Sequence, residues 1–361
     1  MRKKILLVLP EMSYTGAPES TLNMALVIQK MGYYVTVCTI SDGPKKKEFI
    51  KQGLYVMIWG NDIEEKIKNK KIEFDLVIVN TSMLAYIAKK IQDYIPTILF
   101  IREAKSLIEF ADIFSTKIED INDVNEVYCV SEYAQEWILS ITGRKAKVLH
   151  NYIPDVTLEN RLTHNIKDKI HFGIIGTIEE RKGIDIAIKA FQCLDEEVQK
   201  KCELKIVGRI LEWQREYWEP LMKNIQLTNH IIYLGEIKEK KKVYEFINSL
   251  DVVIVASRDE SCSLVVLESA MLGKAIIVNS NIGAKYMVSK KNGYICENNT
   301  VDSLKEGIMD IYNNRRKIKQ MGMYSKKQYR RLASEQIYYK KLKKIIEENM
   351  KVNIYMSNNG D

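Results

Sequence analysis

The feature that most constrains this chain is an alternation that runs through it twice. Short apolar runs of strand length recur at Lys4–Leu9, Tyr34–Ile40, Leu54–Ile58, Asp75–Asn80, Thr97–Ile101, Glu126–Val130 and Lys147–Leu149. Between them lie stretches with helical spacing: Ser20–Met31, Met83–Gln92, Ser106–Ile121 and Tyr133–Ile141. Strands separated by helices predict parallel β-α-β units with right-handed crossovers and a sheet covered on both faces. The alternation restarts with strands expected at Ile170–Ile175, Leu204–Val207, His230–Leu234, Asp251–Ala256, Ala275–Asn279 and Tyr294–Cys296. Helices are expected at Glu212–Asn224 and Val243–Leu250, and another that puts Ile184, Ala187, Ile188 and Phe191 on one face. Between the halves, His150–Lys169 lacks apolar periodicity, carries Pro154 and reads as an interdomain linker. The expected fold is α/β, two doubly wound, Rossmann-like domains facing a central cleft. The first spans residues 1–150, the linker 151–169 and the second 170–325, with helices rich in Lys, Tyr and Ile over 326–361.

At 361 residues the chain is long enough for two such cores. Its 46% hydrophobic and 28% charged residues are those of a soluble globular protein. No apolar run approaches the ~20 residues of a membrane span. The start, MRKKILLVLPE, mimics a secretory signal, but its apolar run stops at Pro10 and Glu11 and reads better as a buried strand. Six scattered cysteines, with no C-x-x-C and no histidine at metal-ligand spacing, read as reduced thiols in a cytosolic protein. The net charge of +8 comes in lysine bursts at Lys45–Lys47, Lys66–Lys71 and Lys238–Lys242. No aromatic residues interleave them as in single-strand nucleic-acid binders, so no nucleic-acid partner is expected. Solvated helix faces explain such bursts, and attraction to anionic lipid or a phosphorylated ligand is the functional alternative.

Three loops carry candidate chemistry. SRDESCSLVVLESAMLGK, from Ser257 to Lys274, follows an apolar strand and opens an amphipathic helix. Glu260 stands before the helix; if the helix starts near Ser263, Glu268 lies about 7–8 Å further along its axis. Between them, unpaired backbone N–H groups carry the positive end of the macrodipole. A molecule with a sugar at one end, a ribose at the other and a diphosphate between would fit; so would an ordinary turn with two solvated glutamates. In GTIEERKGID, Arg181 can fork two phosphate oxygens and Lys182 adds a compact charge, with Gly176 and Gly183 bracketing them. In EMSYTGAPES, Gly16 is expected to permit a turn that a side chain would block, and Pro18 suits a first helical position. G-x-G-x-x-G is absent, which argues against a nicotinamide enzyme.

GIIGTIEERKGIDIAIKAF, IVGR, DVVIVASRDESCSLVVLESAMLGKAIIV and NGYIC together resemble the donor half of the family 4 retaining glycosyltransferases, two-domain GT-B enzymes. Glu260 and Glu268 match that family's E-x7-E. The first half is similar in outline, with a glycine loop after its first strand, then VSEYAQEWI and NYIPD. The resemblance implies that Arg181 and Lys182 grip the diphosphate of a nucleotide-sugar. Glu260 would face the donor sugar beside the N–H groups of Ser263, Leu264 and Val265, and Glu268 would bind the ribose. Gly16 would let the first loop approach the phosphates, and Gly208, Arg209 and Gly235 would sit on loops turned towards the nucleotide. The C-terminal helices would cross back to brace the first domain.

The chain departs from the family pattern at Thr177, where many members carry arginine, and at Cys262, where many carry phenylalanine. After the strand ending near Ile101, Arg102 and Glu103 stand where many members place a histidine, and these two are the acceptor-side candidates. The implied reaction is retaining transfer to a saccharide or lipid-linked acceptor, in bacterial surface polysaccharide or glycoconjugate synthesis. No D-x-D occurs, so neither metal nor cofactor is expected, and Arg181, Lys182 and the helix N-terminus would supply the positive charge. The expected location is cytoplasmic, peripheral on an anionic inner membrane face. The alternative is a catalytically silent GT-B protein that binds a glycosylated partner and supports another transferase.

Overall fold

A computed structural model describes residues 2–69, 73–108, 117–156, 158 and 169–357, with the side chains of 61 and 352–357 excepted. Two compact units divide the chain: residues 1–154 with 334–361, and residues 155–333.

Unit 1 holds a seven-stranded sheet of β1 (Lys4–Leu9), β2 (Tyr34–Thr39), β3 (Tyr55–Ile58), β4 (Leu76–Val79), β5 (Thr97–Ile101), β6 (Glu126–Cys129) and β7 (Lys147–Val148). All pairs are parallel, in the order β3-β2-β1-β4-β5-β6-β7. The central runs KILLVL, LVIV and TILFI are continuous rather than alternating because helices cover both faces, and all but Lys4 are buried. Strand order reverses between β1 and β4, the position where sheets of this kind open a ligand crevice at their carboxyl ends.

Helix α1 (Gly16–Lys30) starts earlier than the expected Ser20. The Ser20 and Thr21 hydroxyls donate back to the carbonyls of Gly16 and Ala17, so these polar residues ride inside the helix instead of preceding it. Pro18 is consequently the third helical residue, still within the first turn, where a backbone N–H has no intrahelical partner. Gly16 itself has no left-handed backbone, and a Cβ there would meet nothing within 4 Å. The expectation that a side chain would block this turn is therefore corrected. Helices α2 (Ala85–Ile91) and α3 (Glu132–Thr142) follow; the central part of the helix expected at 106–121, residues 109–116, lies outside the described residues. So do 157 and 159–168 of the linker.

Unit 2 repeats the plan with β8 (Ile170–Ile175), β9 (Cys202–Val207), β10 (Ile231–Tyr233), β11 (Val252–Val255), β12 (Ala275–Asn279) and β13 (Gly293–Cys296). They form a parallel sheet ordered β10-β9-β8-β11-β12-β13, reversing between β8 and β11. Helices α4 (Ile184–Gln192), α5 (Lys240–Ser249), α6 (Leu264–Met271), α7 (Val301–Asn313) and α8 (Ile318–Leu332) belong to this unit. Ile184, Ala187, Ile188 and Phe191 are all buried, and Phe191 meets Phe172 of β8 edge-on at 5.3 Å. Helix α8 stays with unit 2 because its Gly322 lets it lie against Gly273, where a Cβ would come within 2.1 Å of the carbonyl oxygen. Ser325 Oγ also donates to the Lys274 carbonyl at 2.6 Å. The passage back to unit 1 thus falls at Ser334, later than the 326 expected from sequence. There α9 (Glu335–Ser357) packs on unit 1: Lys30 pairs with Glu335 at 2.6 Å, and Tyr338 lies 4.6 Å from Tyr152.

Among the described residues no helix is long and apolar enough to cross a membrane. One lysine of the bursts is not on a solvated face: Lys45 is 3% exposed, its ammonium held by Glu19 and Glu48.

Candidate active site

The site is built where the sheet of unit 2 reverses. After β8 the chain passes through Gly176, whose φ of 155° favours glycine. Its N–H donates to Val207 O, and Ile178 N–H donates to Arg209 O at 2.8 Å, so the loops after β8 and β9 continue the ladder beyond the sheet. A Cβ on Gly208 would lie 1.8 Å from Gly176 O, which explains the glycine in IVGR. Gly208 N–H donates in turn to the carbonyl of Gly235, a residue at φ 80° with open space around its missing Cβ. Arg209 is exposed beside them.

The loop then makes a 3-10 turn, Glu180–Lys182, and Gly183 at φ 65° turns it into α4. A Cβ on Gly183 would come 2.1 Å from Ala256 O, at the end of β11. That approach brings the two reversal-point loops together. Arg258 N–H donates to Arg181 O at 2.7 Å, and the Arg258 guanidinium forks Asp185 of α4 at 2.9 and 2.7 Å. Burial works to raise the Asp185 carboxyl, but Arg258, the Tyr217 hydroxyl and a backbone N–H outweigh it and hold it below the usual carboxylate range.

On this frame Lys182 Nζ lies 3.0 Å from Glu260 Oε1, and Ser257 Oγ donates to Glu260 Oε2 at 2.9 Å. Burial again pushes the Glu260 carboxyl upwards; the charges of Lys182 and Arg181 and these hydrogen bonds prevail and hold it below the usual carboxylate range. The backbone of Glu260 is pinned as well, with its carbonyl accepting from Gly283 N–H at 2.8 Å. Asn279, at the end of β12, donates to the carbonyls of Ala256 and Ser257 and so fixes the exit from β11. Arg181 forks protein groups, with Nη1 on Asp259 O at 3.0 Å and Nη2 on Glu179 at 2.7 Å. Both loop cations are thus held by the protein's own acceptors.

Helix α6 starts at Leu264, with Ser263 as N-cap, and the Ser263 side chain accepts from none of its N–H groups. The first turn, including Leu264 and Val265, therefore keeps its unpaired donors for an anion. Neither glutamate of the E-x7-E spacing is a solvated residue: Glu268 is 2% exposed and the Glu260 side chain 13%. Glu268 accepts from Lys240 of α5.

In unit 1, Arg102 and Glu103 are buried at the carboxyl end of β5. Glu103 accepts from the Thr81 hydroxyl, from the N–H and hydroxyl of Ser82, and from Arg102 N–H. It caps the start of the segment leading into α2. Arg102 Nε donates to Asn80 Oδ1 at 2.8 Å, its Nη1 donates to Asn151, and its guanidinium sits 4.5 Å from the centre of the Phe100 ring. Asn80 in turn donates to Thr21 of α1. This network joins the loops after β4, β5 and β7 to α1, all at the carboxyl ends of the strands.

Sequence reasoning singled out Arg181, Lys182, Glu260 and the α6 N-terminus, and unit 2 brings Lys182, Glu260 and α6 together. It missed Arg258, Asp185, Asn279 and Lys240, which hold or cover those groups. Arg258 and Asp185 lay within the quoted motifs, but only the fold shows that they pair. Asn279 and Lys240 left no signal, because one ends an ordinary apolar strand and the other sits in a lysine burst.

Two family models match the chain: Glycosyl-transferase family 4 over residues 1–163 and Glycosyl transferases group 1 over 157–328. A glycosyltransferase of Methanocaldococcus jannaschii, itself uncharacterised, is 22% identical over 69% of this chain and 69% of its own length. One from Haemophilus influenzae is 30% identical over 48% of this chain and 46% of its own. Among solved structures, Anabaena HepE in complex with UDP and glucose matches with a TM-score of 0.80 at 17% identity, covering 96% of this chain and all of that one.

Proposed function

We propose, from the premise that this chain belongs to glycosyltransferase family 4, that it moves a sugar from a nucleotide-sugar donor to a saccharide or lipid-linked acceptor with retention at the anomeric carbon. The observation that carries this reading is the half-buried Lys182–Glu260 pair beside the uncapped start of α6. Arg181, Lys182 and the N–H groups at Ser263, Leu264 and Val265 bind the donor diphosphate. Glu260 faces the transferred sugar and Glu268 the ribose. The loops at Gly16, Gly208, Arg209 and Gly235 border the nucleotide. Arg102 and Glu103 shape the acceptor side from unit 1. HepE was crystallised with UDP and glucose, which supports a nucleoside diphosphate as the leaving group.

In the reaction, the bond from the anomeric carbon to the diphosphate oxygen breaks and the acceptor oxygen bonds to the same face. The acceptor proton passes to the departing phosphate oxygen. Charge grows on that oxygen as the bond breaks, and fixed cations and helix N–H groups stabilise it without reorganising. They take the place of a metal ion. The pathway is bacterial surface polysaccharide or glycoconjugate synthesis, reached from the inner membrane face by a chain of net charge +8.

The test is incubation with a panel of nucleotide-sugars in excess chelator, following the first-formed sugar or product by proton NMR. The expected result is turnover with the donor's anomeric configuration preserved. Inverted product, or activity that returns only on adding magnesium or manganese, would contradict the mechanism.

A further inference from the structure

Glu268, the carboxylate assigned above to the ribose, is covered by a cation from a different crossover. It lies on α6, which follows β11, whereas Lys240 opens α5, which follows β10. Lys240 Nζ is 2.5 Å from Glu268 Oε1. The carboxylate is 2% exposed and the lysine side chain 44%, so the ammonium stands on the solvent side of the pair. The same ammonium lies 5.2 Å from the centre of the Tyr244 ring, one helical turn along α5.

A ribose hydroxyl that donates to Glu268 Oε1 competes there with Lys240, whose ammonium stands on the solvent side of the carboxylate. A buried carboxylate left without its cation is costly, so the pair persists until another donor replaces it. We propose that Lys240 is a latch on the ribose site and determines which ligands open it, an inference that rests on the functional reading above. For a neutral nucleoside, entry exchanges a charge-assisted bond for hydroxyl donors, with little net gain. For a nucleoside diphosphate, entry also frees an ammonium on a flexible four-carbon stem beside a ligand with phosphate charge. The latch therefore favours charged nucleotides over free nucleosides, which bear the same ribose.

The experiment is calorimetric binding of UDP, GDP, ADP and CDP, and of the four nucleosides, to the full chain and to Lys240→Met, Lys240→Arg, Glu268→Gln and the Lys240→Met/Glu268→Gln double variant, each verified as folded by its melting transition. The wild type should prefer the diphosphate. Lys240→Met should bind the matching nucleoside at least threefold tighter and narrow that preference, while Lys240→Arg stays near wild type. In the Glu268→Gln background, Lys240→Met should gain nothing. If the wild type binds a diphosphate but Lys240→Met leaves nucleoside affinity unchanged or weaker, the latch is wrong and the functional reading stands. If no diphosphate binds the wild type, the functional reading falls and the latch with it.

Discussion

Lys182 and Glu260 meet at 3.0 Å although they are carried by loops leaving different strands, β8 and β11. Those strands are neighbours at the reversal of the sheet, so the pair sits where a parallel sheet opens to a ligand. A carboxylate and an ammonium held there are already largely withdrawn from water, at 13% and 19% exposure. The protein has therefore paid for desolvation before any donor arrives, which is how a site stabilises developing charge.

The approach that makes this pair depends on Gly183. Gly183→Ala would place a Cβ 2.1 Å from Ala256 O on a backbone at φ 65°. Left-handed backbone costs a non-glycine residue about 1–2 kcal/mol, and here a backbone clash adds to it. Gly235→Ala at φ 80° meets open space and carries the conformational cost alone. Thermal melts should show a clearly larger fall for Gly183→Ala, at about 2–4 °C per kcal/mol for a unit of this size. Equal shifts would mean that the two loops can separate freely.

Asp185 provides a pH signature. Its folded carboxyl titrates below the ordinary range because Arg258 and Tyr217 favour the ionised form against burial. Stability from a depressed carboxyl is fully present above the unfolded value of about 3.9 and is lost as pH falls through the folded one. Urea unfolding should show wild type more stable than Asp185→Asn at pH 6, with the difference shrinking below about pH 4. A difference that does not change with pH would rule out the charge pair as its source.

Glu103 should behave as a positioning group of unit 1. Glu103→Gln keeps the shape but replaces one acceptor oxygen with a donor facing Thr81, Ser82 or Arg102 N–H. A cost of about 1–3 kcal/mol in denaturant melts is expected, with nucleoside diphosphate affinity unchanged. Loss of that affinity would place Glu103 in the donor site instead.

How much of this was legible depended on where the signal lay. The strands were readable because both faces are buried, so LVIV and VVIV are unbroken apolar runs. Edges moved where a polar residue joined an element, as Ser20 and Thr21 do by bonding back into α1. The motif loops were readable because glycines there answer to real contacts, Gly208 to Gly176 and Gly183 to Ala256. Gly16 was misread, since a glycine in sequence does not say whether anything stands opposite. Long-range pairs were beyond reach: nothing in KEKKK distinguishes Lys240 from its neighbours until α5 is laid beside α6.

The central claim is that the two glutamates do different work at the two ends of one donor. Steady-state kinetics combined with calorimetry of the nucleoside diphosphate, on Glu260→Gln and Glu268→Gln, tests it most directly. Interactions made only in the transition state raise turnover, whereas uniform binding lowers the Michaelis constant. Glu260→Gln should cut turnover by on the order of a hundredfold, about 3 kcal/mol, and leave nucleoside diphosphate affinity nearly intact. Glu268→Gln should weaken that affinity by about 1–3 kcal/mol. If Glu260→Gln loses nucleotide affinity while Glu268→Gln keeps it, the sugar and ribose ends are reversed and the account is contradicted.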